Sequence, residues 1–371
     1  MKIAYIINRL LKAGPTSVLY NIVRNIDQTQ HELFVFQLMD VSGQDRDISS
    51  EFKELGIEII CSQYTFYDLE LRTKSIAKRI EGKMQSLGIN VVHTHGYHPV
   101  LLASYMNSIP VVNTIHCICK EDFINLKGKL LGNYMCWRFI RAIKHISCNV
   151  VISTYMMDFY SNYISVGNLY LIHNGVLANS TAMNRGNIGK LKKQIGLTSD
   201  RFMILVSSAF SVRKNQARLI LELCRSKRND FVVIFIGKGE KQEECRKMAG
   251  DDPRFLFLGY VMNPDDYVMA SDLLISASLS EGLPMAVLEA LVVGVPTLLS
   301  DIPPHREIVI SIFQSDTLLF DYHSNGDLLQ KFESLDLDYF DKDAIQAEAV
   351  KRYSARVMAD KYLRLYSEYM K

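Results

Sequence analysis

Short, nearly uninterrupted apolar runs alternate with longer amphipathic stretches along this chain, and the alternation starts twice. Residues 2–7, 33–38, 57–60, 91–94, 111–114 and 150–153 have the length and β-branched content of strands. Residues 16–26, 74–87 and 127–146 lie between them and carry apolar residues at helical spacing. Strands that are apolar throughout, separated by helices, belong to parallel sheets covered on both faces. A polar stretch follows at residues 178–196, with Asn-Ser-Thr, Asn-Arg-Gly-Asn and a lysine run. Strand-like runs then resume at 203–206, 231–236, 255–258, 273–276 and 297–299. The pattern predicts an α/β protein of two doubly wound domains, residues 1–177 and 178–353, facing a cleft. Residues 354–371, with Val357, Tyr362, Leu365 and Tyr369 on one face, predict a last helix that could dock on either domain. Ligands of such sheets bind beyond the carboxyl ends of the strands.

The length of 371 residues suits two domains. Net charge is +2, from 42 Lys and Arg against 40 Asp and Glu, which argues against a nucleic-acid partner bound by bulk positive charge. No apolar run approaches the roughly 20 residues of a bilayer span. A first strand at Lys2 leaves no room for a signal peptide. The seven cysteines, Cys61, Cys117, Cys119, Cys136, Cys148, Cys224 and Cys245, include no Cys-x-x-Cys pair and read as reduced thiols. The expectation is a cytoplasmic protein.

The segment after the first strand, residues 8–14, has one glycine, so it carries no dinucleotide fingerprint. Gly14 would let a phosphate approach the backbone, with Pro15 or Thr16 opening a helix whose free N–H groups favour anions. An ordinary strand-to-helix turn fits equally well. Ser280-Glu281-Gly282-Leu283-Pro284 is more specific, because it follows a strand and turns into a helix that carries Glu289. Carboxylates beside an anion site suit sugar hydroxyls, each accepting hydrogen bonds from adjacent OH groups. A capping Glu281 and a solvated Glu289 are the alternative.

His93, His95 and His98 with His116 could be read as a metal cluster, because alternate residues of a strand share one face. No acidic or cysteine ligand has metal-site spacing with them, so no metal is expected. The acidic pairs Asp336-x-Asp338 and Asp341-x-Asp343 fall in the polar tail region. Residues 127–146 interleave Lys127, Lys129, Arg138, Arg141 and Lys144 with Leu130, Leu131, Trp137, Phe139 and Ile140. That mixture suits an anionic membrane surface, and a core helix with a solvated basic face competes.

Glu281-x7-Glu289 around Gly282-Leu283-Pro284 resembles the signature of the retaining glycosyltransferase family 4, which has the GT-B fold. Asn174-Gly175-Val176, Arg213-Lys214-Asn215, Gly237-Lys238-Gly239, Leu258-Gly259-Tyr260-Val261, Ala270-Ser271-Asp272 and a loop at 303–307 resemble further family segments in order. The resemblance covers nearly the whole chain and is strongest between Asn174 and Glu307. It implies two Rossmann-like domains and an enzyme of polysaccharide biosynthesis, of capsule or exopolysaccharide type. Such an enzyme moves a sugar from a nucleotide-diphosphate donor, UDP favoured, to a glycan or lipid-linked acceptor, with retention and without metal or cofactor.

By the same resemblance, Glu281 and the backbone of Gly282, Leu283 and Pro284 hold the transferred sugar. Glu289 binds the ribose, Lys214 the diphosphate, and the loop with Tyr260 and Val261 the base. Gly237 belongs to a donor-side loop, Gly14 lies against the phosphates or acceptor, and His116 sits beside the donor sugar. His95 and His98 fall on the acceptor side, and His116, Lys214 and Glu281 are the catalytic candidates. A membrane-facing helix at 127–146 would imply a lipid-linked acceptor and peripheral attachment at the inner face of a membrane. Two departures stand out: Ser208-Ala209 replaces the family's Gly-Arg, and Ala13-Gly14 replaces Gly-Gly. The phosphate pocket therefore has one cation fewer, which either Arg213 replaces or, with Arg213 turned to solvent, nothing does. A non-catalytic homologue and a GT-B nucleotide-sugar epimerase are the competing functions.

Overall fold

A computed structural model of the chain describes residues 1–44, 46–178, 185–196, 201–336 and 339–369. The chain divides into two compact units, Met1–Gly175 with Ala355–Lys371, and Val176–Ser354.

In the first unit the strands are β1 (Lys2–Ile7), β2 (Glu32–Gln37), β3 (Glu58–Cys61), β4 (Val91–His95), β5 (Val111–Ile115), β6 (Cys148–Val151) and β7 (Leu169–Leu171). They form one sheet in the order β3-β2-β1-β4-β5-β6-β7. Every pairing is parallel, with Tyr5 opposite Val35 on one side and His93 on the other. Ile3, Ala4, Tyr5 and Ile6 are completely buried, as a strand covered on both faces requires.

The second unit contains β8 (Phe202–Ser207), β9 (Phe231–Ile236), β10 (Phe255–Gly259), β11 (Leu273–Ser276), β12 (Thr297–Ser300) and β13 (Leu319–Phe320). Their order is β10-β9-β8-β11-β12-β13, again all parallel. The order reverses between β8 and β11, and such a switch leaves a crevice at the carboxyl ends of those two strands. Two doubly wound parallel sheets are the architecture that the apolar periodicity predicts.

Details depart from the sequence reading. Part of the polar stretch, residues 179–184, lies outside the described residues, and Arg185–Gln194 is a helix in which Leu191 is buried. Ile188, Leu191 and Ile195 stand at helical spacing there, but the surrounding Gly, Asn and Lys made the segment read as a polar hinge. The edge strands β7 and β13, three and two residues long, are too short to carry a pattern.

The helix expected at 127–146 begins earlier, at Cys119, and runs to Ile143 with a break at Gly128, whose φ of 76° is outside helical space. Gly128 tolerates that conformation because it has no Cβ. The two arms fold back on each other so closely that a Cβ on Gly132 would lie 2.5 Å from the Phe123 carbonyl oxygen. Phe123 and Phe139 meet edge to face across the same contact, with ring centroids 5.6 Å apart. The last helix, Ala355–Tyr369, belongs to the first unit. It buries Tyr362 and Tyr366, which places the Tyr366 hydroxyl 2.7 Å from His93 Nδ1 and the Tyr362 hydroxyl 2.7 Å from Thr114 Oγ1.

Candidate active site

Three loops of the second unit are tied together at the carboxyl ends of β8, β11 and β12. After β8, the Ser211 hydroxyl caps the short turn Val212–Lys214, accepting from the Lys214 backbone N–H at 3.4 Å. Asn215 then takes a left-handed conformation, φ 52°, which asparagine adopts more readily than most residues. The Leu279 N–H donates to the Arg213 carbonyl at 2.8 Å, pinning the loop after β11 against this turn. After β12, the Ser300 hydroxyl donates to the Ser278 carbonyl at 2.5 Å.

Glu281 lies where these loops meet. Its Oε1 is ion-paired with Lys214 Nζ, and its Oε2 is 3.2 Å from Arg213 Nη1, which also donates to the Ser280 carbonyl at 3.1 Å. Burial by itself would raise the Glu281 carboxyl, but Lys214 and then Arg213 outweigh it and hold the group down at about 2. Its side chain is 6% exposed against 18% for Lys214 and 34% for Arg213, so the cations are the solvent-facing members. Two cations and one carboxylate leave one net positive charge, an arrangement suited to receiving an anion.

This geometry changes two expectations. Both Glu281 oxygens already accept from cations, so the residue expected to grip a sugar also holds Lys214 and Arg213 in place. Arg213, though partly exposed, does not point freely into solvent, because it is fixed to the Glu281 carboxylate and the Ser280 carbonyl. Their closeness was hidden in the sequence by the 67 residues that separate Lys214 from Glu281.

His305 was missed by sequence reasoning altogether. Residues 303–307, expected as a loop, open the helix Pro303–Phe313. The His305 Nδ1–H donates to the Ser300 carbonyl at 2.8 Å. Burial pushes this imidazole down to about 4, against the opposing pull of Glu281, so it is neutral beside the carboxylate. Pro284 is the N-cap of the helix Met285–Leu291, which carries the half-buried Glu289. Leu283 is buried, and Gly282 is partly exposed.

The loops after β8, β9 and β10 also lie against one another. Gly237 has φ 129°, and a Cβ there would press into the Ser208 carbonyl oxygen. A Cβ on Gly239 would press likewise into the Phe210 carbonyl. Glycine is therefore required at both positions for the backbones to approach. The Gly237 N–H donates to the Gly259 carbonyl at 2.7 Å, and Gln216 Nε2 donates to Ser208 Oγ and to the Ala209 carbonyl, both at 2.9 Å. Ala209 is exposed, as are Tyr260 and Met262 in the loop after β10, while Val261 is partly buried.

In the first unit, Gly14 opens the helix Gly14–Arg24, and a Cβ there would meet nothing within 4 Å. No contact among the described residues demands glycine at that position. His116 follows β5 and is partly exposed, and burial pushes its imidazole down to about 4. His95 and His98, expected on the acceptor side, are both buried. His95 Nδ1 lies 2.9 Å from His116 Nε2, and His98 Nε2 lies 3.1 Å from Glu70 Oε1. Glu70 is also ion-paired with Arg138, which removes Arg138 from the basic face of its helix. His93 is held by Tyr366 and by Thr114, whose Oγ1 is 2.7 Å from its Nε2.

Among the described residues no group of three or more His, Cys, Asp or Glu is arranged to hold a metal ion. Asp338, in one of the acidic pairs, lies outside those residues.

Residues 13–178 match the family described as Glycosyltransferase Family 4, and residues 187–353 match Glycosyl transferases group 1. The chain is 23% identical to the O-antigen biosynthesis glycosyltransferase WclY of Escherichia coli, with 99% of this chain and 98% of WclY covered. It is 26% identical to the UDP-Gal:alpha-D-GlcNAc-diphosphoundecaprenol alpha-1,3-galactosyltransferase of Escherichia coli, over 60% of this chain and 61% of that one. The crystal structure of Anabaena HepE in complex with UDP has the same fold, with a TM-score of 0.81 at 15% identity and coverage of 99% and 100%.

Proposed function

The chain belongs to the glycosyl transferases group 1 and is a glycosyltransferase of the bacterial polysaccharide type, and we propose that it moves a sugar from a UDP-sugar, with retention, to a lipid-linked glycan acceptor. The observation that carries the donor side is the trio of Lys214, Arg213 and Glu281, with its net positive charge at the ends of β8 and β11. The choice of UDP is supported by the UDP bound to HepE and by the galactosyltransferase relative, whose name specifies UDP-Gal.

In this reading the second unit binds the donor. Lys214 and Arg213 receive the diphosphate, Glu289 the ribose hydroxyls, and the loop of Tyr260 and Val261 the base. As the bond between the anomeric carbon and the diphosphate oxygen breaks, its electron pair goes to the diphosphate, and the two cations offset that charge. Preorganised charge of this kind is worth a few kcal/mol in a transition state. The acceptor hydroxyl bonds to the anomeric carbon on the face the diphosphate leaves, and its proton passes to a diphosphate oxygen. No metal and no protein base take part, and His116 contacts the donor sugar.

The acceptor side is supported by the tip of the hairpin broken at Gly128. Leu126, Leu130, Leu131, Tyr134 and Trp137 are exposed there, Leu130 at 92%, alongside exposed Lys127, Lys129 and Arg141. Apolar side chains among lysines suit an anionic lipid surface, where a lipid-linked acceptor would be found.

The test is a calorimetric titration with UDP, GDP and their sugars, followed by analysis of the product formed on an undecaprenyl-diphosphate-linked acceptor. Tight binding of UDP and a product with the donor's anomeric configuration are expected. Binding of GDP alone would refute the nucleotide, an inverted product the stereochemistry, and an epimerised sugar without acceptor the reaction itself.

A further inference from the structure

His95 and His116 meet ring to ring, with Nδ1 of the first 2.9 Å from Nε2 of the second and their planes stacked at 28°. A hydrogen bond between two neutral imidazoles needs a proton on one nitrogen and a lone pair on the other, so the two rings cannot choose tautomers independently. Burial holds both rings far below the usual imidazole range, so both are neutral.

The other nitrogen of His95 decides between the two arrangements. Its Nε2 is buried and meets no partner among the described residues. A proton there would be an orphaned buried N–H, which folded proteins tolerate less than an orphaned acceptor. His95 therefore carries its proton on Nδ1 and donates it to His116 Nε2. That leaves the His116 proton on Nδ1, a nitrogen without a partner among the described residues in a ring that is partly exposed.

We propose that His95 is a positioning residue that fixes His116 as its Nδ1–H tautomer, making His116 a neutral hydrogen-bond donor to an oxygen of the sugar nucleotide and barring it from acting as a base. This rests on the reading of His116 as a donor-sugar contact. It accounts for a buried histidine at the last position of β4, where an apolar residue would pack without polar cost. The surroundings hold the ring still, with the His93 ring centroid 4.2 Å away and His93 itself gripped by Tyr366 and Thr114. It also sends the acceptor's proton elsewhere, as transfer to the leaving diphosphate requires.

The test is a long-range proton–nitrogen NMR correlation on the full chain labelled at histidine, with His116→Gln used to assign the signals. Isolated imidazole side chains favour the Nε2–H form, so an Nδ1–H form at His116 is the distinctive result expected. His95→Leu should return His116 toward Nε2–H and lower turnover about tenfold. His95→Gln can still donate an amide N–H to the same nitrogen, so it should keep the Nδ1–H signature and more of the turnover. An Nε2–H form in the parent protein, which needs no variant to fold, overturns the proposal. So does an unchanged tautomer in a folded His95→Leu chain. Full turnover in His116→Ala would instead remove His116 from the proposed reaction, while the NMR result would still decide whether His95 sets its tautomer.

Discussion

Arg213 Nη1 bridges the Glu281 carboxylate, at 3.2 Å, and the Ser280 carbonyl, at 3.1 Å. The guanidinium is thus held by two acceptors on the loop after β11 while it belongs to the turn after β8. This ties the position of one cation to a carboxylate 68 residues away, and Lys214 is tied to the same carboxylate.

If both cations act on the leaving diphosphate, Arg213→Ala and Lys214→Ala should each reduce turnover at least tenfold, about 1.4 kcal/mol apiece. Glu281→Gln should also lower turnover far more than donor affinity, because a neutral amide holds the two cations poorly. Steady-state kinetics on the true donor decides this. An Arg213→Ala enzyme within twofold of the parent leaves Lys214 alone in that role.

Glu289→Ala should weaken nucleotide binding by about 1.5–3 kcal/mol, the range for a hydrogen bond to a charged group. Turnover at saturating donor should change much less. Titration calorimetry with the nucleotide diphosphate is the check, and unchanged affinity removes Glu289 from the ribose.

Acid should destabilise the fold in two stages. The His116 and His305 imidazoles are pushed down to about 4 from the ordinary 6.5, so between those values the unfolded chain binds more protons than the folded one. Stability present above 6.5 is therefore lost as the pH falls toward 4. Glu281, held at about 2 against an ordinary 4.5, adds a further loss of the same sign below 4.5. Thermal unfolding from pH 7 to pH 4 should show a falling midpoint, and His305→Asn should flatten the upper part of the curve. A curve of equal slope in the variant contradicts the assignment.

If Lys214 and Arg213 meet the diphosphate charge, turnover should survive excess chelator. Loss of activity with rescue by manganese would mean that a divalent ion does the work assigned to those side chains.

Leu130→Asp and Trp137→Asp should each reduce sedimentation with phosphatidylglycerol vesicles severalfold, and Lys127→Glu with Lys129→Glu should make the remaining binding less sensitive to salt. Thermal midpoints should barely move, since these side chains are exposed. Undiminished vesicle binding in both aspartate variants would place the membrane contact elsewhere.

The sequence made the strands legible wherever burial on both faces forced continuous apolar runs, as in β1 and β9. It concealed β13 because two residues carry no period. The break at Gly128 was invisible because the reading began at Lys127, so only the second of the two packed arms was read as a helix. Glu281 and Lys214 were legible as motif members, but their ion pair was not. Adjacency of β8 and β11 follows from the reversal in strand order, which no local pattern reports. His95 and His98 were read as acceptor-side residues from the resemblance, and local spacing could not show that both are buried. Their burial depends on partners brought by the fold, His116 for one and the Glu70–Arg138 pair for the other.

Tyr362 and Tyr366 complete the interior of a unit that begins with β1, so that unit is discontinuous in the chain. During synthesis the second unit can finish folding while the first still lacks the hydroxyls that hold His93 and Thr114. The ribosome must pass residue 366 before that unit can close. A premature stop after Ser354 would therefore spare the sheet carrying Lys214 and Glu281. It would damage the earliest-made part of the protein.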